Sequence, residues 1–464
     1  MARPLIRLCY LSPIGNAEAH PGECLPKFLK PLWWPVIAWT ALWFAVNTGP
    51  WAFQHMPQGW MELFHAARAL FPLAVLLGAA VLSARRSRRK AWTWPGPGRL
   101  WLLYGLIGLG ACVMSPDPLG AGYWCAAYLA AFVAAKVFVE ADGAVPVDRA
   151  RHLNYLSWII NTTFLCIMFF VARDALFAES PTSIAGVSAY HVIDRMGEIG
   201  GMPMSRASGL ARFAAVPGIV AFVFLWTSRG VRRGMWALVV GLCGVFIFLL
   251  QSRGAILGFG FAVVFVTLVL GTKSRIVAAA AALVAGTALF AFRIPEGLWE
   301  HITRGEGAAA FRELTGRPDY WHEAWGWIWR PPIWGWGGQA DRYLMDWACV
   351  HNTYVYAVLQ SGFIGAAAFV AGLGWAWVLF FREIKRRSAE TPAQRAFLVQ
   401  AGGILAFFTV RSIPEISGPL FGIDFLVMLP ILAYLGALDR EAACARGFGG
   451  APRAGFGNAP RASA

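Results

Sequence analysis

The apolar residues of this chain fall into blocks of roughly 17–25 residues separated by short polar segments, the length a helix needs to cross the hydrocarbon of a bilayer. That pattern decides the class. Charged residues supply only 14% of the 464, against about 25% in a soluble globular protein, so there is too little polar surface for several soluble domains. An apolar share of 58% excludes disorder outside the tails. The sequence predicts an all-α polytopic membrane protein.

Twelve transmembrane helices are expected, over roughly 31–49, 60–82, 99–115, 119–139, 153–172, 213–228, 234–251, 254–271, 275–292, 351–381, 395–411 and 420–438. The first block follows a segment, 1–30, with no small-residue cleavage site after it, and reads as a retained helix. Pro72, Pro217 and Pro430 lie inside spans, where proline is tolerated and marks kinks. Orientation follows the basic residues. The run from Arg85 to Lys90 after span two, placed in the cytoplasm, puts the N-terminus there too. The later inward loops then carry Arg149 and Arg151, Arg229 to Arg233, Lys273 and Arg275, and Arg382 to Arg387. The Gly-, Ala- and Arg-rich tail, 439–464, is expected to be cytoplasmic and disordered.

The net charge of +15 is explained by these loops and does not call for a nucleic-acid partner. Every lysine falls on or near the inner side, whereas the outer basic residues are all arginine, the side chain suited to bidentate phosphate binding. The cysteines form no CxxC pair, no disulfide framework and no zinc site.

Two outer segments are long, 173–212 and 293–350, and loops of that length are usually functional. The second is expected to be partly helical. Pro318 can open a helix in which Trp321, Trp325 and Trp329 recur at i, i+4 and i+8, one aromatic stripe suited to the outer leaflet or to packing on the bundle. Pro331-Pro332 stops it, and Gly335-Trp336-Gly337-Gly338 turns the chain.

The chemistry-bearing residues gather at one level in this topology. His351-Asn352 stands at the mouth of the span beginning at 351. Arg206 and Arg212 come just before the span beginning at 213, Arg253 sits in the turn Gln251-Ser-Arg-Gly254, and Arg411 ends the span 395–411. Glu415 and Asp424 flank the last span on the same side and could orient an arginine or the histidine. Glu62, His65 and Arg68 share one helix face, and ionisable groups inside a membrane are functional by default or satisfy one another. His191, His301 and His322 show no convincing metal-ligand spacing.

Gly316-Arg317, the Pro332-Ile-Trp-Gly335-Trp-Gly337 element, His351-Asn352 with Gly362 eleven residues on, and the Ser252-Arg253-Gly254 turn together resemble the O-antigen ligase family, whose relatives are O-antigen polymerases and bacterial protein O-oligosaccharyltransferases. The resemblance covers about residues 200–425. It implies transfer of a glycan from undecaprenyl pyrophosphate to the lipid A–core oligosaccharide, in the bacterial inner membrane with the site facing the periplasm. A pyrophosphate donor needs fixed cations, and the chain has no Asp-x-Asp pair to hold a metal, so arginines are expected to replace it. The expected roles are His351 as general base, neutral at neutral pH, and Arg206 and Arg253 on the pyrophosphate, with Arg212, Arg317 and Arg411 as further donor contacts. Asn352, Glu415, Asp424 and Arg68 are expected to orient them, with no metal and no cofactor. A secondary transporter is the alternative from another class, although transporters place polar sites near the midplane.

Overall fold

The computed structural model describes residues 33–46, 59–86, 94, 96–140, 145–176, 207–271, 317–346, 348–386 and 391–449. Among them the helices are α1 (Trp33–Phe44), α2 (Trp60–Arg86), α3 (Gly98–Ala111), α4 (Pro118–Val139), α5 (Pro146–Leu176), α6 (Ala207–Thr227), α7 (Val231–Leu249), α8 (Arg253–Leu270), α9 (Arg317–Ile328), α10 (Ala340–Leu344), α11 (Thr353–Arg386), α12 (Pro392–Arg411) and α13 (Ile423–Gly449). No strand occurs among the described residues.

Eight of these helices, α2, α4 to α8, α11 and α12, are long and apolar enough to cross a membrane, while the apolar α1 and α3 are shorter. α13 is buried from Phe425 to Leu429 and Ile431 to Leu435, with Asp424 at one end and Asp439, Arg440 and Glu441 at the other. Eleven of the twelve expected spans therefore fall on helices, and the twelfth, 275–292, lies outside the described residues, as do 1–32, 177–206 and 293–316. Two expected boundaries move. α6 begins at Ala207, so Arg212 lies inside a helix and not before it. The tail does not begin at 439, because α13 continues to Gly449.

The bundle closes around α13. Phe425 stacks on Tyr128 of α4 at 4.1 Å, and the side-chain amide of Asn154 in α5 donates to the Pro430 carbonyl at 2.8 Å. The kink prolines are provided for. Pro217 has no N–H, which leaves the Phe213 carbonyl one turn earlier without its helical donor, and Asn161 supplies one at 2.8 Å.

α11 is the element that most shapes the end of the bundle where His351 lies. Expected as one span, it is broken at Ser361 and Gly362, whose φ of −131° and 61° leave the helical region. Thr353 donates its N–H to the Ser412 carbonyl at 3.0 Å, and the Trp377 indole donates to the Thr409 hydroxyl at 3.1 Å. Both partners lie within one turn at the end of α12. A straight helix would hold Thr353 and Trp377 about 36 Å apart, so α11 must turn sharply at the break.

The backbone groups freed there are taken up by the Pro332–Gly337 loop. Trp336 and Gly337 donate N–H groups to the Leu359 and Gln360 carbonyls at 2.9 and 2.8 Å, and Phe363 donates to the Pro332 carbonyl at 2.9 Å. Gly335 and Gly362 both have positive φ, and a Cβ on Gly362 would collide with the Ile333 carbonyl. This close crossing accounts for both glycines of the motif. α9, α10 and the first segment of α11 share a small core of their own, made of Ala324, Ile328, Ala340, Leu344, Met345, Val350, Tyr356 and Leu359.

Candidate active site

The turn from Arg411 to Ser417, between α12 and α13, is where the expected residues meet. It is strapped to the start of α11. Besides the Thr353 N–H, the buried Thr353 hydroxyl donates to the Glu415 carbonyl at 2.9 Å and accepts from the Ser417 N–H at 2.7 Å. Asn352 caps α11, its Oδ1 accepting from the N–H groups of Tyr354 and Val355 at 2.9 and 3.0 Å, while its Nδ2 donates to the Ile413 carbonyl at 3.0 Å. Asn352 thus orients the backbone at the start of α11.

Two carboxylates organise the cations. Glu415 places one oxygen 3.1 Å from Nδ1 of His351 and the other 3.2 Å from Arg317. Asp424 pairs with Arg212 at 3.0 Å through one oxygen and with Arg411 through the other. Ser417 joins the two halves, since its N–H reaches Thr353 and its hydroxyl donates to Asp424 at 2.8 Å while accepting from Arg411 at 2.9 Å. Arg253 opens α8 beside them, because a Cβ on the adjacent Gly254 would lie 3.2 Å from Pro414 and 3.8 Å from Glu415.

The electrostatics follow from this pairing. Hydrogen bonds to Cys349 and to Glu415 raise His351 to about 9, against the opposing effect of burial. Burial would raise Glu415, but the hydrogen bond with His351 and the charges of Arg411, His351 and Arg317 outweigh it and bring Glu415 down to about 2. The resting site is therefore an ion pair. Against the expected neutral imidazole, the hydrogen bonds to Cys349 and to Glu415, the latter 64 positions away in sequence, favour the imidazolium at neutral pH. Four cations, Arg212, Arg317, Arg411 and His351, then face the two carboxylates Glu415 and Asp424, leaving two positive charges in excess. The Nε donors of Arg212 and Arg411 are buried and have no hydrogen-bond partner among the described residues, and an unmade bond of that kind costs roughly 1–3 kcal/mol. Among the described residues no three His, Cys, Asp or Glu side chains gather as a metal site.

Two expected residues stand apart. Arg206 lies outside the described residues. Arg68 is fully buried and donates to the Phe44 and Val46 carbonyls at 2.7 and 3.4 Å, so it ties α2 to the end of α1. Its charge is met by backbone that hydropathy does not register. Thr353, Ser417 and Cys349 were not singled out from the sequence. Their signal was position, as small polar residues beside His351 and Glu415.

Residues 238–370 match the O-Antigen ligase family model. No curated protein matches the chain. The matched stretch contains Arg253, Arg317 and His351, whereas Arg212, Arg411, Glu415 and Asp424 lie outside it.

Proposed function

The chain is a member of the O-antigen ligase family through residues 238–370, and on that premise we propose that it transfers a glycan from undecaprenyl pyrophosphate to the lipid A–core oligosaccharide, at the periplasmic face of a bacterial inner membrane. The observation that carries this reading is the convergence of three guanidiniums, Arg212, Arg317 and Arg411, with His351 on the two carboxylates Glu415 and Asp424. A diphosphate diester brings about two negative charges, and each contact at about 4 Å contributes roughly 4 kcal/mol at an effective dielectric of 20, before desolvation is subtracted. Arg212 and Arg411 have Nε donors still unspent, and Arg253, Arg317 and Arg206 complete the set around the donor.

In the reaction an acceptor hydroxyl attacks the anomeric carbon, the bond from that carbon to the phosphate oxygen breaks, and the bond to the acceptor oxygen forms with inversion. The leaving diphosphate gains a charge that the guanidiniums are already placed to receive. The hydroxyl proton passes to the neutral form of His351, and Glu415 stabilises the imidazolium that results. Because Glu415 and Asp424 are each bound by two cations, neither is left over for a divalent ion, and the arginines supply the positive charge that a metal would.

The test is transfer by the purified full chain, given a lipid-linked glycan and one of three acceptors. Product on rough lipopolysaccharide supports the ligase reading. Product only on a second lipid-linked glycan makes the enzyme a polymerase, and product only on a Ser/Thr peptide makes it a protein O-oligosaccharyltransferase. His351→Ala should abolish transfer with membrane insertion intact, and EDTA should leave the rate unchanged. Ion-coupled solute uptake without transfer would favour a transporter.

A further inference from the structure

His351 has φ 45°, a left-handed conformation that a β-carbon disfavours. Something must hold it. The preceding residue, Val350, is gripped at both of its backbone groups. Its N–H donates to Oδ2 of Asp341 at 3.3 Å, and its carbonyl accepts from the Trp321 indole at 2.8 Å. Asp341 is 1% exposed, and its other oxygen accepts the Arg342 N–H at 3.0 Å. A carboxylate this deeply buried is costly, and none of the proposed chemistry uses it. Both holders are themselves anchored. The α10 segment that carries Asp341 is tied to α11 where the Gln339 N–H donates to the Tyr356 hydroxyl at 3.0 Å. α9, which carries Trp321, packs Ala324 and Ile328 into the same small core as Val350 and Tyr356.

We propose that Asp341 and Trp321 are positioning residues for His351: together they fix the Val350 peptide groups, and through them the left-handed turn that aims the imidazole at Glu415. This rests on His351 being the proton acceptor of the proposed transfer. It adds that the segment 317–346, apart from Arg317, acts on the chemistry through a backbone clamp on Val350. Downstream the turn is closed by Asn352 and Thr353 on the 411–417 segment. The imidazole therefore has little freedom unless the Val350 side lets go. The ionisable groups facing His351 are Cys349 in its own segment, Glu415 from the α12–α13 turn and Asp341 from α10.

The decisive variant is Trp321→Phe, which keeps an aromatic ring in place, removes the donor to Val350 and changes no charge. Asp341→Asn, which keeps one acceptor oxygen, and Asp341→Leu, which keeps none, form a graded series. Two readouts are taken on the full chain in detergent. The first is kcat and donor KM for transfer. The second needs no turnover: the pH dependence of carbethoxylation of His351 by diethyl pyrocarbonate, read by peptide mass spectrometry, with exposed His322 as the internal reference for reagent activity.

For Trp321→Phe, kcat should fall about tenfold with donor KM unchanged, since a loss of aim is felt in the transition state. The His351 midpoint should drop below about 9 as contact with Glu415 loosens, with Cys349 still holding it above 6.5. Asp341→Asn should show a smaller effect than Asp341→Leu, which should approach a hundredfold loss. Wild-type kcat together with a wild-type midpoint in Trp321→Phe overturns the clamp. If Asp341→Leu fails to fold, Trp321→Phe and Asp341→Asn still decide. If the wild-type chain transfers no glycan, the proposed function falls, and the His351 midpoints alone judge the clamp.

Discussion

The pairing of His351 with Glu415 makes the rate depend on pH in a direction that can be worked out in advance. With the imidazole at about 9, only about one enzyme molecule in a hundred carries neutral His351 at pH 7, because each unit below the pKa costs a factor of ten. A general base must be neutral before it accepts a proton. The value of kcat/KM, which reports the free enzyme, should therefore rise about tenfold per pH unit between pH 6 and 8 and level off above about 9. Bound diphosphate adds negative charge beside the ring, so the limb in kcat should lie at still higher pH. Glu415→Gln removes one of the two hydrogen-bonded partners that raise the imidazole, and the limb should move to lower pH, while Cys349 keeps it from reaching 6.5. The assay is the initial rate of glycan transfer from a lipid-linked donor across pH 6–10, in wild type and Glu415→Gln. A rate that falls through the same limb would show His351 working as a cation on the leaving phosphate and would refute its role as base. A flat profile would remove it from the rate-limiting step.

Asp424→Asn leaves Arg212 and Arg411 buried without their shared counter-charge and should destabilise by about 3–5 kcal/mol, read by thermal unfolding in detergent. Gly362→Ala places a Cβ against the Ile333 carbonyl at φ 61° and should cost at least about 2 kcal/mol, seen as a lower yield of monodisperse protein. His351 is raised, so its stabilising share is complete below 6.5 and fades as pH rises toward about 9; Glu415 is lowered, so its share is complete above 4.5 and fades as pH falls toward about 2. Melting temperature should thus be highest between about pH 4.5 and 6.5 and decline on the alkaline side. Glu415→Gln should flatten that decline.

Hydropathy located the helices because bilayer thickness leaves a length in the sequence, and it did so for eleven segments of the described chain. It could not show the break in α11. Gly362 stands out in the sequence only as a motif residue and not as a helix break, and the break is stabilised by a loop some 25 residues earlier. The expectation of one cationic level came from Arg206, Arg212, Arg253 and Arg411 at span ends with His351; in the structure Arg212, Arg411 and His351 share the Asp424 and Glu415 carboxylates, and Arg317 joins them from α9. What assigns each its partner is sequence-remote. Asp424 meets Arg212 across 212 positions and Glu415 meets His351 across 64. The charge state of His351 likewise depends on Cys349 beside it and on the remote Glu415, and the ring's intrinsic value does not contain either. Arg68 illustrates a related point, since the Phe44 carbonyl that it reaches carries no side-chain signature in the sequence.

The insertion of residues 332–337 into the gap of α11 means that neither piece is finished without the other. During synthesis the loop emerges first and has nothing to plug until α11 follows it. The carbonyls of Leu359 and Gln360 then stay open until the two meet. Any exchange of this region between homologous chains, for instance to test acceptor choice, has to carry 317–363 across as one cassette. A graft cut between the loop and the helix would import a plug shaped for a different socket.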